Sequence, residues 1–214
     1  MVRREFVRKL EEIRSILLEL LGNVEEMVNQ LFASIESPNN LVEDSSKLDT
    51  KVRSRTKDLL DLCTEVVTLQ QPMATDIRLI ISSIRIITDI ERSVRDSLHI
   101  VEIAPSLKTL SKYVKLFEDT KVVLLSMIDV LKESLKSNNS SILLELSEKD
   151  EIIDKFYDTM NNSIREDIKE NPDNALELVD LMMAVRRIER IADHLCNIAE
   201  KIYYLQTAEI RRIA

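Results

Sequence analysis

Glycine is almost absent from this chain: Gly22 is the one instance among 214 residues. Glycine-rich phosphate loops and dinucleotide-binding motifs need several glycines where the backbone approaches a ligand, and tight β-hairpins also depend on this residue. The composition therefore argues against Rossmann enzymes, P-loop nucleotidases and all-β folds. At this length the chain forms one domain or two small ones, with enough residues for a sizeable core. An all-α protein is the fold class that remains.

Acidic residues outnumber basic ones, 38 against 30, and the formal net charge is −8. A general nucleic-acid binder needs a basic surface, so we expect no nucleic-acid partner. The charged N-terminus lacks the apolar stretch of a secretory signal, and the most apolar run, residues 77–87, is interrupted by Arg78 and Arg85. Cys63 and Cys196 are isolated, which is typical of small buried side chains rather than of disulfides. We expect a cytoplasmic protein.

Apolar residues recur every three or four positions through most of the chain, which predicts amphipathic helices. Segments rich in Pro, Asn and Ser, at 37–40, 70–72, 104–106, 136–140 and 171–173, separate them. The predicted helices run over Glu5–Ile35, Val42–Leu69, Ala74–Ile103, Leu107–Leu135, Ile142–Lys169 and Ala175–Ala208. Long helices joined by short connections pack antiparallel, so each set of three is expected to form a bundle.

The chain contains an internal repeat. The third predicted helix carries Ile90-Glu91-Arg92, and the sixth carries Ile188-Glu189-Arg190 at the corresponding place. We therefore predict two tandem three-helix bundles, the first over residues 1–104 and the second over residues 105–214.

Two pairs of carboxylates stand apart from the charges that decorate solvated helix faces. Asp150 and Asp154 in the fifth helix, and Glu189 and Asp193 in the sixth, are each four residues apart and so lie on one face of their helix. If these helices are neighbours, four carboxylates face one groove, a donor set that suits Mg, Ca, Mn or iron. Ordinary salt bridges are the alternative. The cations available for them are Lys149, Arg186, Arg187 and Arg190.

The sixth helix also carries the most distinctive motif of the chain. It reads Glu189-Arg190-Ile191-Ala192-Asp193-His194-Leu195-Cys196-Asn197-Ile198-Ala199-Glu200. This run resembles the Glu-Arg-Ile-Gly/Ala-Asp-His-x-x-Asn-Ile-Ala-Glu motif that ends a repeat in the PhoU family of phosphate-transport regulators. Weaker similarities follow in the right order, at residues 20–25 in the first helix and at residues 72–79, where the third helix begins.

The resemblance implies two similar three-helix bundles without enzymatic activity. It also implies a cytoplasmic adaptor that links the ATP-binding subunit of a phosphate ABC transporter to a sensor histidine kinase and restrains the phosphate-starvation response. Many family members form homodimers, and contact with the membrane is expected only through the partners. Some members bind iron, and others Mg, Mn or Zn, through paired Glu/Asp-x-x-x-Asp motifs. In this sequence those ligands correspond to Asp150, Asp154, Glu189 and Asp193.

The first repeat departs from that motif. Ser45 stands where a carboxylate is expected four residues before Asp49, and Arg95 stands where one is expected four residues after Glu91. Asp96 is one position late, which rotates it by about 100° around the helix. Our hypothesis is that this site has lost its metal and that Arg95 neutralises Glu91 and Asp49.

Both histidines lie close to acidic residues in the sequence. His194 is rotated by about 100° from Asp193, which favours a supporting or surface position over direct ligation. Asp96 and His99 form a short-spaced pair, but a di-iron bundle requires Glu-x-x-His on two helices, and the sequence contains none. Two other functions remain open: a bundle that stores or senses metal, and an accessory protein of a different phosphate transporter.

Overall fold

The computed structural model describes residues 2–36, 41–69, 72–107 and 112–214. Within these ranges the chain forms six α-helices and no β-strand, which confirms the all-α fold class. The helices are α1 (Val2–Glu36), α2 (Leu41–Leu69), α3 (Ala74–Ile103), α4 (Val114–Ser137), α5 (Glu145–Glu170) and α6 (Ala175–Thr207). Short 3-10 turns occupy Ala104–Ser106, Ser141–Leu144 and Pro172–Asn174. None of the helices in the described ranges is long and apolar enough to cross a membrane.

The predicted helix boundaries hold for α3 and nearly hold for α1, α2 and α6. The predicted start of the fourth helix at Leu107 is wrong, because Leu107 has φ −85° and ψ 80° and α4 begins only after Tyr113. Leu107 is instead buried, which ties the segment after the 3-10 turn to the core. The predicted interruptions at 37–40 and 70–71 lie outside the described residues.

Two helix ends adopt a left-handed backbone. Asn138 ends α4 with φ 54°, a conformation that Asn tolerates better than most residues. Ala208 ends α6 with φ 63° and turns residues 209–214 back along that helix. Ile213 is buried there, and its N–H donates a hydrogen bond to Oε1 of Glu200 at 3.1 Å. The C-terminal segment therefore lies on α6 and helps to form its surface.

The helices contact one another both within each repeat and across the two repeats. Helices α1, α2 and α3 contact one another, and α4, α5 and α6 do the same. Across the repeats α1 contacts α4, and α3 contacts α6 extensively. Because Asp89 meets Lys201 while Asp96 meets Arg187, α3 and α6 run antiparallel. The neighbour order on this side of the molecule is α2, α3, α6, α5.

One continuous apolar core joins the two repeats. Phe32 of α1 packs edge-on against Phe117 of α4 with ring centroids 6.5 Å apart, and Phe117 packs in the same way on Phe156 of α5 at 5.4 Å. Phe32 and Phe117 are almost completely buried. Such aromatic pairs add to the free energy of burial, so this chain of rings stabilises the contact between repeats.

Candidate functional site: an acidic groove and a buried ion network

Helices α5 and α6 bring together the carboxylates that the sequence singled out. The pKa of Asp150 is raised to about 6, first by partial burial and then by the negative charges of Asp154 and Asp193. A carboxyl on α5 therefore experiences the charge of a carboxyl on α6. The four side chains lie close enough to repel one another across the groove.

Glu189 and Asp193 experience the same repulsion from the α6 side. Partial burial and then the charge of Asp193 raise the pKa of Glu189, against the opposing effect of Arg186. Loss of hydration and then the charge of Asp154 raise the pKa of Asp193, which remains exposed, while the charges of His194, Arg186 and Arg190 act in the opposite direction. Among the described residues nothing donates a hydrogen bond to the buried Oε2 of Glu189. The groove therefore carries negative charge that is incompletely compensated.

Salt bridges were the alternative to metal binding at these carboxylates, and the structure shows only some of them. Nη1 of Arg186 donates to Oε1 of Glu189 at 2.5 Å, and its guanidinium also lies over the Tyr157 ring, 5.4 Å from the centroid. Arg187 and Arg190 turn away from the groove to Asp96. In the part of the chain that the structure describes, no three His, Cys, Asp or Glu side chains are gathered as metal ligands. Metal binding stays a prediction, which the hard oxygen donors and the only partly compensated negative charge support.

Both cysteines are free and buried, as predicted. Burial raises the pKa of Cys63 to about 11. The pKa of Cys196 is also raised, by burial and then by the charge of Asp150, to which it is hydrogen-bonded. Both thiols are therefore protonated near neutral pH, which argues against a nucleophilic role.

In the first repeat, Ser45 and Asp49 of α2 find their partners on α1 and on α2 itself. Ser45 is completely buried, and its hydroxyl donates to Oε1 of Gln30 at 2.6 Å. Oδ2 of Asp49 accepts a hydrogen bond from Nε of Arg53, one turn further along the helix, at 2.7 Å. Asp49 is therefore neutralised within its own helix.

Glu91 has a different partner from the one expected. Its Oε1 accepts a hydrogen bond from the hydroxyl of Thr56 at 2.5 Å. Arg95 is exposed and forms no ion pair with any described residue, so the hypothesis that it neutralises Glu91 and Asp49 is wrong. The physical reason is that Arg53 and Thr56 already occupy the space between α2 and α3.

A second polar cluster, which the sequence analysis did not recognise, lies where α3 meets α6. Asp89 is 5% exposed, and its Oδ1 lies 3.1 Å from Nδ1 of His194 while its Oδ2 lies 2.8 Å from Nζ of Lys201. Burial alone raises the pKa of Asp89, but the hydrogen bonds from His194 and Lys201 outweigh burial and lower it. Asp89 is therefore held as a buried carboxylate by side chains of the other repeat.

Asp96 completes this cluster, which we call the inter-repeat network (Asp89, Asp96, Arg187, Arg190, His194 and Lys201). Oδ1 of Asp96 accepts from Nη1 of Arg187 at 2.6 Å, and Oδ2 lies 3.3 Å from Nε of Arg190. Nε2 of His194 lies 4.0 Å from the same Oδ2. His194 thus lies buried between two carboxylates rather than at the surface. Asp96 serves this contact, while His99 pairs with Glu102, so the two form no joint site.

A sequence signal for the network existed. Asp89 and Asp96 are seven residues apart and share one face of α3 with Ser93 and Ser97, both fully buried. Acids on the buried face of a helix require cationic partners. Their identity could not be inferred, because the contact joins helices from different repeats.

This chain is similar in sequence, over nearly its whole length, to proteins of known family. A phosphate-specific transport system accessory protein PhoU homolog of Borreliella burgdorferi is 25% identical over 218 residues, which cover 98% of both chains. The homolog of the same name from Rhizobium meliloti is 29% identical over 210 residues, covering 94% of this chain and 87% of its own.

Solved structures and a family model agree with these similarities. The crystal structure of PhoU from Pseudomonas aeruginosa has a TM-score of 0.88 at 25% identity and covers 95% of this chain and 100% of its own. PhoU from Streptococcus pneumoniae matches the fold with a TM-score of 0.87 at 22% identity, covering 96% and 99%. The model of the PhoU domain matches twice, at residues 17–104 and 119–202, in agreement with the predicted repeat. The chain therefore belongs to the PhoU family.

Proposed function

We propose that this protein is an accessory and regulatory protein of a phosphate-specific transport system. The observation that carries the proposal is similarity to accessory proteins of that name over both repeats, rather than over one copy of a common helical unit. The Glu189-to-Glu200 motif lies within the second match.

The mechanism we propose is that of a cytoplasmic adaptor. It acts without catalysis, as a homodimer, by binding the ATP-binding subunit of a phosphate ABC transporter and a sensor histidine kinase, and it restrains the starvation response when phosphate is plentiful. The outer surface supports a binding role, because α3 and α6 each expose large apolar side chains near the N-terminal end, which gives two patches at opposite ends of this antiparallel pair. Ile77 and Ile81 on α3 are 40% and 48% exposed, and Leu176 and Val179 on α6 are 86% and 48% exposed.

Binding experiments test the adaptor. The purified full-length chain is immobilised and exposed to each candidate partner, the ATP-binding subunit and the cytoplasmic part of the kinase, with and without a chelator. We expect both to bind, and we expect binding to survive the chelator. The double variant Leu176→Asp/Val179→Asp, which changes two exposed positions one turn apart on α6, should lose binding, while Val122→Asp, an exposed apolar position on α4, is the control. Failure of both partners to bind would refute the adaptor mechanism. Binding only to a different phosphate transporter would favour the alternative that this protein is an accessory subunit of that transporter.

The second function is metal sensing, which the uncompensated charge in the α5–α6 groove favours. Asp150, Asp154, Glu189 and Asp193 would hold a hard cation such as iron, and the metal would supply the positive charge that the groove lacks. If metal is itself the signal, partner binding should depend on it and disappear with the chelator.

Metal analysis tests this site directly. The chain is loaded with ferric or ferrous iron, Mn, Mg or Zn, desalted and measured by mass spectrometry for metal per protein. We expect stoichiometric metal in the parent chain and less than a tenth as much in Glu189→Gln/Asp193→Asn. The control is Asp49→Asn in the first repeat, which should retain it because Asp49 already has Arg53 as its partner. Only trace metal in the intact chain would refute the metal centre.

A further inference from the structure

A cavity of about 280 Å³ lies between α3, α6 and the C-terminal segment. It adjoins a second pocket that reaches Asp193 at the edge of the α5–α6 groove, and the two share Asn197, Glu200, Ile210 and Arg211 in their linings. Its polar lining comes from Ser82, Arg85, Asn197, Lys201, Tyr204 and Arg211.

The hydroxyl of Ser82 is anomalous within its helix. Ser83, Ser93 and Ser97 each donate to the carbonyl oxygen four residues earlier, at 2.7, 2.9 and 2.9 Å. Ser82 is only 1% exposed, yet its Oγ has no hydrogen-bond partner among the described residues. A buried hydroxyl without a partner costs about 1–3 kcal/mol, so a ligand that accepts its proton would gain that energy. In this protein the unsatisfied hydroxyl lines a cavity.

Two arginines at the same cavity are not neutralised by carboxylates. Within the described ranges neither Arg85 nor Arg211 forms an ion pair, and both are exposed. The guanidinium of Arg211 lies 5.8 Å from the centroid of the Tyr203 ring, a contact that orients it without cancelling its charge. Their charge is therefore available to a ligand.

The other charged groups at the cavity leave a net positive lining. Nζ of Lys201 forms an ion pair with Oδ2 of Asp89 at 2.8 Å and donates to the backbone carbonyl oxygen of Asn197, so its charge is already neutralised. Glu200 is the acidic side chain in the lining, and one of its oxygens accepts the N–H of Ile213. One carboxylate thus stands against the two available arginines.

We propose that this cavity binds a small free oxyanion. Arg85 and Arg211 supply forked N–H donors of the kind that pair with tetrahedral and carboxylate oxygens, and Ser82 donates its hydroxyl proton from the buried wall. A volume of about 280 Å³ accommodates a small anion such as phosphate. The C-terminal segment, anchored by buried Ile213, forms the outer wall.

The test uses inorganic phosphate, titrated into the full-length protein at 150 mM salt and followed by calorimetry. We expect saturable binding at one site, weakened at least about tenfold by Arg85→Gln, since a charge-assisted hydrogen bond is worth that much. Arg92→Gln is the matched control, because Arg92 is exposed on the same helix but does not line the cavity. Ser82→Ala should weaken binding about fivefold without lowering the melting temperature, because it removes no internal hydrogen bond.

Three outcomes would overturn the proposal: no binding at millimolar phosphate, equal affinity in Arg85→Gln and Arg92→Gln, or tighter binding of ATP than of phosphate. A titration with sulfate in place of phosphate measures the selectivity of the site among oxyanions. Equal affinities for sulfate and phosphate would still support an oxyanion site. The measurement concerns binding alone, so it succeeds or fails independently of the role in phosphate transport.

Discussion

Two sets of acidic side chains in this protein have opposite electrostatic environments. Asp89 and Asp96 are buried, but cations from the other repeat surround them. Asp150 and Glu189 are less buried, yet their neighbours are mainly other carboxylates, which raise both pKa values after the larger effect of burial. The ion pairs of Asp89 and Asp96 therefore stabilise the fold. Asp150 and Glu189 repel neighbouring carboxylates, and a bound cation would reduce that repulsion.

Removing the charge of Asp89 should destabilise the protein. Asp89→Asn leaves Lys201 and His194 without their carboxylate, and breaking a buried ion pair from one side costs about 3–5 kcal/mol. Urea unfolding at pH 7.5 measures the loss in the free energy of unfolding. The control is Asp44→Asn, whose partner Lys47 is exposed, and which should change stability by less than about 0.5 kcal/mol. A loss for Asp89→Asn as small as that of the control would contradict a structural role for the network.

Neutralising Asp150 should stabilise the metal-free protein, and only at higher pH. Its pKa in the folded state is about 6 against an ordinary value of 3.8, so the folded state binds more protons between these values and stability falls as pH rises through about 6. Because Asp150 is only partly buried and water screens its neighbours, its ionisation lowers the free energy of unfolding by about 1 kcal/mol. Asp150→Asn should therefore gain about that much above pH 7 and little at pH 4, measured by urea unfolding in a chelator.

The exposed neighbour Asp158, two turns further along α5, provides the comparison for that experiment. Asp158→Asn should show a small difference from the parent chain that does not change between pH 4 and pH 8. An Asp150→Asn effect that is equally flat with pH would show that the repulsion in the groove has no energetic consequence.

At the scale of single helices, the one glycine lowers the stability of α1, and neither space nor backbone conformation requires a glycine there. Gly22 lies inside α1, and a Cβ added there meets no atom within 4 Å. Gly22→Ala should raise the free energy of unfolding by about 0.5–1 kcal/mol, because alanine loses less backbone entropy in a helix. Chemical unfolding measures the gain. Ala33→Gly, along the same groove of α1, should lose a similar amount, and a destabilised Gly22→Ala would contradict this account.

The helices were largely predictable from the sequence, and the contacts between them were not. Pro72 and Pro105 indicated the bounds of α3, and spacing by four placed each pair of carboxylates on one face of its own helix. The start of α4 was missed because Leu107 is apolar and fits a helical stripe, although it is used as a buried anchor outside the helix. Arg95 was misjudged because spacing predicts the face of a residue but not which cation reaches a carboxylate first.

At the scale of the whole molecule, the two repeats should unfold together. Their buried apolar side chains form one core, and the aromatic contacts and the inter-repeat network both cross the boundary. Calorimetry should therefore give a single transition in which the van't Hoff and calorimetric enthalpies agree. Two resolved transitions, or an enthalpy ratio far from one, would show that the repeats behave as separate domains.

The antiparallel pairing of α3 with α6 has a mechanical consequence. Asp89 and Asp96 tie α3 to α6 at two points seven residues apart, about 10 Å along the helix axis. Two such anchors oppose sliding and rotation of one helix on the other, so we expect α3 and α6 to move as a unit with one repeat attached along each side. Because the pair is antiparallel, a ligand that tilts α6 at its end would then shift the start of α3 in the other repeat.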